Sequence, residues 1–163
     1  MMRVTRRYRF SASHRLHNAA LTDEQNRAIY GKCNHPYGHG HNYALAVSAT
    51  GPVEEKSGRV VDTRILDRLV EEEVIRPFDH KNLNTQVPEF VDGRVAPTSE
   101  SLTEAIRDRL ARAWPRAFPA GRPGLERVRL EETRNNKFEL AVPPHPGKGG
   151  RSEFCAPVNA HEK

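Results

Sequence analysis

Residues 3–14 alternate, with Val4, Tyr8, Phe10 and Ala12 on one side of the backbone and Arg3, Thr5, Arg7 and Arg9 on the other. Successive side chains of a strand point to opposite faces, so this period of two predicts a half-buried strand with His14 at its end, on the apolar face. A second alternating run covers about 39–50 and places His39, His41, Tyr43, Leu45, Val47 and Ala49 on one face. Between the two runs, residues 17–38 are polar, with Gly31, Asn34, Pro36 and Gly38 near their end, and are read as a long loop. Loops of that length inside a compact domain are usually functional or disordered.

The period then changes to that of a helix. Asp62 is a plausible N-cap for a helix with Ile65, Leu66, Leu69, Val70 and Val74 on one side, ended by Arg76-Pro77. Residues 77–97 read as irregular. A second helix starts at Thr98 or Ser99, buries Leu102, Ala105, Ile106, Leu110 and Ala113, and is expected to stop at Pro115. Two further strands follow, at about 125–132 with Val128, Leu130 and Glu132 in phase, and at about 137–142 with Phe138, Leu140 and Val142 in phase. Asn135-Asn136 suits the tight turn between them. The order β-β-α-α-β-β predicts an α+β fold, an antiparallel sheet with two helices on one face. A four-stranded sheet leaves two edges to be covered, which suggests association through them. The folded domain is expected over 1–142, with a Pro- and Gly-rich tail at 143–163 that reads as disordered.

Composition narrows the function. The chain has 163 residues, 36% hydrophobic and 29% charged, which suits one domain with a real core. No apolar run is long enough for a membrane span, and the basic N-terminus lacks the apolar core of a signal peptide, so a cytoplasmic location is the default expectation. Only Cys33 and Cys155 are present, which argues against a structural disulfide and for a reduced Cys33. The net charge of +5 is compatible with a polyanionic small substrate or with a solvated arginine-rich surface. Nucleic acid is disfavoured, because the arginines are scattered and no aromatic-interleaved basic stripe exists.

Candidate chemistry gathers in "GKCNHPYGHGHNY", residues 31–43. His39 and His41, two apart on a strand, project together, and His14 ends the neighbouring run on its apolar face. If those strands pair, the imidazoles meet at the rim of the sheet. Three histidines and one open position is the ligand pattern of a catalytic zinc. Cys33 has two readings: a fourth ligand that closes a structural site, or a thiol with lowered pKa acting as base or nucleophile. His17 and His35 are read as surface or supporting residues. Asp79-His80 is either a carboxylate holding an imidazole tautomer or a plain helix-end turn. Glu132, in phase with Val128 and Leu130, needs a partner on an apolar face. An arginine would serve, and so would a ligand with adjacent N–H donors. Thr98 and Ser99 are helix caps or hydroxyls offered to the same ligand.

Together these segments, "YRFSASHRLH", "GKCNHPYGHGHNY", "PFDHKNLN", "PTSESL" and "EETRNN", resemble the 6-pyruvoyl-tetrahydropterin synthase / 6-carboxy-tetrahydropterin synthase family over about residues 8–136. The resemblance implies a tunnelling fold (T-fold), with sheets closing into a barrel across a trimer and two trimers stacked as a homohexamer. It implies Zn2+ on His14, His39 and His41, Cys33 as catalytic base with Asp79 and His80 completing a relay across a subunit boundary, and Glu132, Thr98 and Ser99 around the pterin. The implied substrate is 7,8-dihydroneopterin triphosphate, with triphosphate as leaving group and no nucleic-acid or membrane partner. The spacing from Cys33 to His39, "GHGHNY", "DHKNL" and the paired asparagines resemble the pyruvoyl branch, toward tetrahydrobiopterin. "PTSE" and "ET" are shared with the carboxy branch, toward queuosine, which releases acetaldehyde as well. A non-enzymatic zinc- or pterin-binding module is the reading from another class.

Overall fold

A computed structural model describes residues 1–143. The expected disordered tail and Cys155 lie outside the described residues, apart from Pro143 itself. β1 (Met2–His14) and β2 (His39–Gly51) form a long antiparallel pair, in a register that sets His14 opposite His39 and Ala12 opposite His41. β4 (Gly124–Glu131) pairs with β2, and β5 (Lys137–Ala141) with β4, all antiparallel. One helix, α1 (Asp23–Tyr30), lies between β1 and β2, and α2 (Thr63–Val70), α3 (Arg76–Phe78), α4 (Leu83–Gln86) and α5 (Ser99–Ala117) lie between β2 and β4. A two-residue strand, β3 (Lys81–Asn82), adds parallel to β1, so the sheet has five strands in the order β3-β1-β2-β4-β5.

The alternation does what it predicted. Phe10, Ala12, Tyr43, Leu45, Val47, Ala49, Val128 and Leu130 are buried on one sheet face, against Leu66, Leu69 and Val70 of α2 and Leu102, Ile106 and Leu110 of α5. Leu125 is also buried although it sits three residues before Val128. A bulge at Glu126 of β4, opposite the step from Ser48 to Ala49, resets the pairing, so that Ala49 meets Leu125 while Val47 meets Val128. Leu45 lies at the centre of this layer with no exposed surface. Leu45→Ala is therefore expected to cost about 2–5 kcal/mol of stability, read as a lower denaturation midpoint with unchanged slope.

The opposite face carries the arginines. Arg3 pairs with Glu126, Arg7 with Glu131 at 3.5 Å, Arg127 with Glu139 at 2.9 Å and Arg129 with Glu131 at 3.1 Å. The arginines of this face are thus largely paired within the sheet. Arg6, in phase with the apolar face near its rim, is held by Asp67 of α2 at 2.6 Å, and Tyr8 donates to the same carboxylate at 2.8 Å.

Four expectations are corrected. The stretch 17–38 is not a plain loop. It contains α1 and a 3-10 turn at Gly31–Asn34. Thr22 and Gln25 cap α1 reciprocally, and its one buried side chain is Asn26, so no apolar period announced it. The first predicted helix passes Pro77 through a π turn at Glu71–Ile75, in which Arg76 N–H reaches back to Glu71, and continues as α3 before turning at Asp79. Pro115 lies inside α5, which runs two residues further because Phe118 N–H donates to Trp114 at 2.8 Å and the two rings pack at 4.8 Å. Finally, the irregular stretch 77–97 supplies β3 and α4, which makes the sheet five-stranded rather than four-stranded.

Candidate active site

The ends of β1 and β2 place three imidazoles together. One ring nitrogen from each of His14, His39 and His41 falls within 4.8 Å of the others, and His14 Nε2 lies 3.2 Å from His39 Nε2. His14 Nδ1 is 2.7 Å from the carbonyl of Pro97, just before α5. That carbonyl can only accept, so Nδ1 carries the proton and Nε2 keeps its lone pair. His41 Nε2 is closed to solvent and has no hydrogen-bond partner. Such a buried nitrogen is costly unless something accepts its lone pair. Burial, foremost, pushes both His14 and His41 below the ordinary histidine pKa, which leaves them neutral at pH 7 as metal ligands must be. The donor set fits a metal ion.

The Cys33 thiol is not part of this cluster. It sits half-buried in the Gly31–Asn34 turn, and the backbone there is tied to the end of β1 by Leu16 N–H donating to Cys33 O at 2.8 Å. The approach is close at Gly38, whose φ is +66° and where a Cβ would fall 2.5 Å from the His14 carbonyl oxygen. Only glycine suits that conformation and that contact. Cys33 and His39 share the wall of a cavity of about 790 Å³ with Arg15, Arg27, Lys32 and Asn34. Arg15 is clamped: its backbone N–H and C=O bond to the Asn84 side chain at 2.8 and 2.9 Å, and its Nε donates to Asn34 O at 3.1 Å. Neither Arg15 nor Lys32 has a carboxylate partner among the described residues. The sequence suggested a lowered thiol pKa. In the protein alone the direction is opposite, because burial and then the Glu132 carboxylate both disfavour the thiolate.

Glu132 lies one residue beyond β4 and its side chain is 15% exposed. Ser99 Oγ donates to its Oε1 at 2.7 Å and Asn136 Nδ2 to its Oε2 at 3.4 Å, while His41 Nε2 is 3.5 Å from Oε1. No arginine pairs with it among the described residues, so the carboxylate faces the site held only by neutral donors. Thr98 is the N-cap of α5 and spends its hydroxyl on Ser101. Ser99 is the hydroxyl that reaches the carboxylate.

Asp79 and His80 do face each other, at 3.0 Å, although adjacent residues seldom do. His80 has a φ of 55°, which turns its ring back onto Asp79. Ser11 N–H donates to Asp79 at 2.8 Å and His80 N–H to Ser11 O at 2.6 Å, which pins the pair to the edge of β1. Neither residue lines the Cys33 cavity of its own chain, and the His80 side chain is 84% exposed.

A family model described as 6-pyruvoyl tetrahydropterin synthase matches residues 3–142. The chain belongs to this family. It is 43% identical over 133 residues to the 6-pyruvoyl tetrahydrobiopterin synthase of Poecilia reticulata, covering 82% of this chain and 85% of that one. The Homo sapiens protein of the same name is 41% identical over 133 residues, with 82% and 86% covered. In three dimensions the chain superposes on the 6-pyruvoyl tetrahydropterin synthase of Caenorhabditis elegans with a TM-score of 0.77 and 33% identity, covering 86% of this chain and 95% of that one. The α+β sheet with helices on one face is the T-fold of this family. No helix among the described residues is long and apolar enough to cross a membrane.

Sequence reasoning missed several contributors. The Pro97 carbonyl that fixes the His14 tautomer has no side chain to announce it. Arg15 and Lys32 were lost among the scattered basic residues, although each adjoins a candidate site residue, His14 or Cys33. Asn136 is read from the sequence as a turn residue and part of a family motif, without its contact to Glu132. His17 keeps its supporting role, 3.1 Å from Asn34 Nδ2, and His35 stays exposed in the loop.

Proposed function

We propose that this protein is a zinc-dependent lyase that converts 7,8-dihydroneopterin triphosphate to 6-pyruvoyl-tetrahydropterin with loss of triphosphate. The observation that carries this reading is the position of Cys33, outside the imidazole cluster yet on the same cavity wall as His39. A thiol so placed is free for proton transfer, and the three-imidazole set keeps a position open.

His14, His39 and His41 would hold the zinc, which suits neutral imidazole ligands. When bound, zinc polarises an oxygen on the substrate side chain and so acidifies the adjacent carbon. Glu132 receives the N–H edge of the pterin, with Ser99 steadying the carboxylate and Thr98 shaping the start of α5. Cys33, as thiolate, takes a carbon-bound proton of the side chain, and triphosphate leaves with the electron pair of the broken carbon–oxygen bond. Positive charge, such as a bound zinc ion would bring, acts against the two effects that raise the thiol pKa, and Arg15 and Lys32 line the same cavity. The same two side chains offer a polyanion its counter-charge. Asp79 and His80 complete the proton relay from a neighbouring subunit. Their absence from their own cavity and the exposure of His80 support that placement. Subunits would then assemble as a homohexamer, a dimer of trimers with the sheets closing into a barrel. A free thiol with this role suits a reducing, cytoplasmic setting.

Incubation with zinc and 7,8-dihydroneopterin triphosphate tests the reading. Triphosphate and a pterin of the pyruvoyl mass are expected, without acetaldehyde. Acetaldehyde among the products would assign the carboxy branch instead, and no turnover would refute the lyase. Glu132→Gln is expected to raise KM roughly 10–100-fold, since hydrogen bonds to a charged partner are worth ~1.5–3 kcal/mol.

A further inference from the structure

The hydroxyl of Tyr43 has no partner in one of the best-shielded places of the fold. The residue is 1% exposed, and its Oη is closed to solvent with no hydrogen bond. The ring is firmly held. It stacks on Phe10 with centroids 5.1 Å apart and planes at 22°, and it packs against His41 at 5.6 Å. A phenylalanine would fill the same space without burying an unpaired donor, so packing alone does not explain the tyrosine.

Its surroundings do. The β2–β4 register pairs Leu45 with Leu130 and Ala44 with Glu131, so one step further Tyr43 lies across from Glu132. Side chains opposite one another on the same sheet face are neighbours. Burial, foremost, and then the Glu132 carboxylate raise the Tyr43 hydroxyl pKa, and Ser99 is close enough to act against them. Ser99 Oγ already gives its proton to Glu132 Oε1 at 2.7 Å, and its own lone pairs remain able to accept.

We propose that Tyr43 is a positioning residue for the pterin: as the pocket tightens on substrate, its hydroxyl donates to Ser99 Oγ, which commits the Ser99 proton to Glu132 and fixes the carboxylate that receives the heterocycle. This role rests on the assignment of Glu132 to the pterin made above. The hold has a clear purpose. The oxygen that Ser99 holds, Glu132 Oε1, is also the one 3.5 Å from His41 Nε2, so this bond sets where the carboxylate stands beside the imidazoles. Donation from Tyr43 through Ser99 fixes Oε1 there and leaves Oε2, whose one protein donor among the described residues is Asn136 at 3.4 Å, for the ring.

Tyr43→Phe in the full zinc-loaded chain separates this role from packing. The melting temperature should stay the same or rise, because an unpaired buried donor is removed. KM should rise about tenfold with kcat within about twofold, the size expected for one neutral hydrogen bond. Ser99→Ala should raise KM similarly, and the double variant should be no worse than Ser99→Ala alone, since both break one chain of bonds. The Raman difference spectrum between wild type and Tyr43→Phe isolates the Tyr43 ring modes. It should show a hydrogen-bond donor with pterin product bound. An unchanged KM in Tyr43→Phe, additive effects in the double variant, or no donor signature would each overturn the role while leaving the lyase intact. No pterin turnover by the wild-type chain would overturn the lyase, and this role with it.

Discussion

Cys33→Ala is expected to reduce turnover about 10²–10⁴-fold, the range that loss of a general base produces, while the protein keeps a full complement of metal. The two halves of this result come from the same geometry. The thiol lies outside the group of ring nitrogens that sit within 4.8 Å of one another, so its loss removes no ligand. The turn that carries it is held by backbone, with Leu16 N–H on Cys33 O and the Asn34 side chain donating to Leu16 O at 2.7 Å. Alanine preserves both bonds, so the cavity keeps its shape. Metal analysis and single-turnover kinetics on one preparation check the pair of outcomes. Loss of metal on Cys33→Ala would mean a closed structural site, and normal turnover would mean that another group takes the proton.

His39→Ala should do the reverse, abolishing metal retention and, with it, turnover. Losing a partner of a ligand typically costs 10–100-fold in metal affinity, and losing the ligand itself should cost more than about 100-fold. His39 is the informative choice because His14 is 2% exposed and bonded to Pro97, so its removal would also disturb the fold. The pH dependence has a definite sign. Protonated imidazole cannot bind metal, so occupancy falls as pH falls. Burial lowers the pKa of His14 and His41, so the release midpoint should lie on the acid side of about 6.5, the value for an ordinary histidine. A chelator-trapped release curve measures it. A midpoint above that value would contradict the burial argument.

The parts of the molecule that could be read from the sequence are those in which one periodic face meets one core. Strict alternation in β1 and β2 fixed the phase of His14, His39 and His41, and antiparallel pairing then brought them together. Glu132 stood out for the same reason, a carboxylate in phase with Val128 and Leu130. What escaped has no period. α1 buries only an asparagine, and β3 is two residues long. Pro115 breaks the rule of thumb because aromatic packing of Trp114 and Phe118 outweighs the loss of one donor. The contact of Asp79 with His80 depends on a left-handed backbone at a non-glycine residue, which sequence rarely signals. The side chains of the candidate site were legible as a list, but its backbone members and its basic wall were not.

The start of α5 has a further consequence. Pro97 offers its carbonyl to His14, and two residues later Ser99 offers its hydroxyl to Glu132. A span of two residues measures at most ~7 Å when extended, and the helix that follows cannot stretch. On the proposed assignment, the segment is a fixed gauge between the half of the site that would hold the metal and the half that would hold the ring. A substrate would then have to match that gauge in the distance from its heterocycle to the oxygens of its side chain, whatever the surrounding loops allow. Lengthening the segment by one residue would alter the gauge itself, and with it the length of side chain that the enzyme can accept.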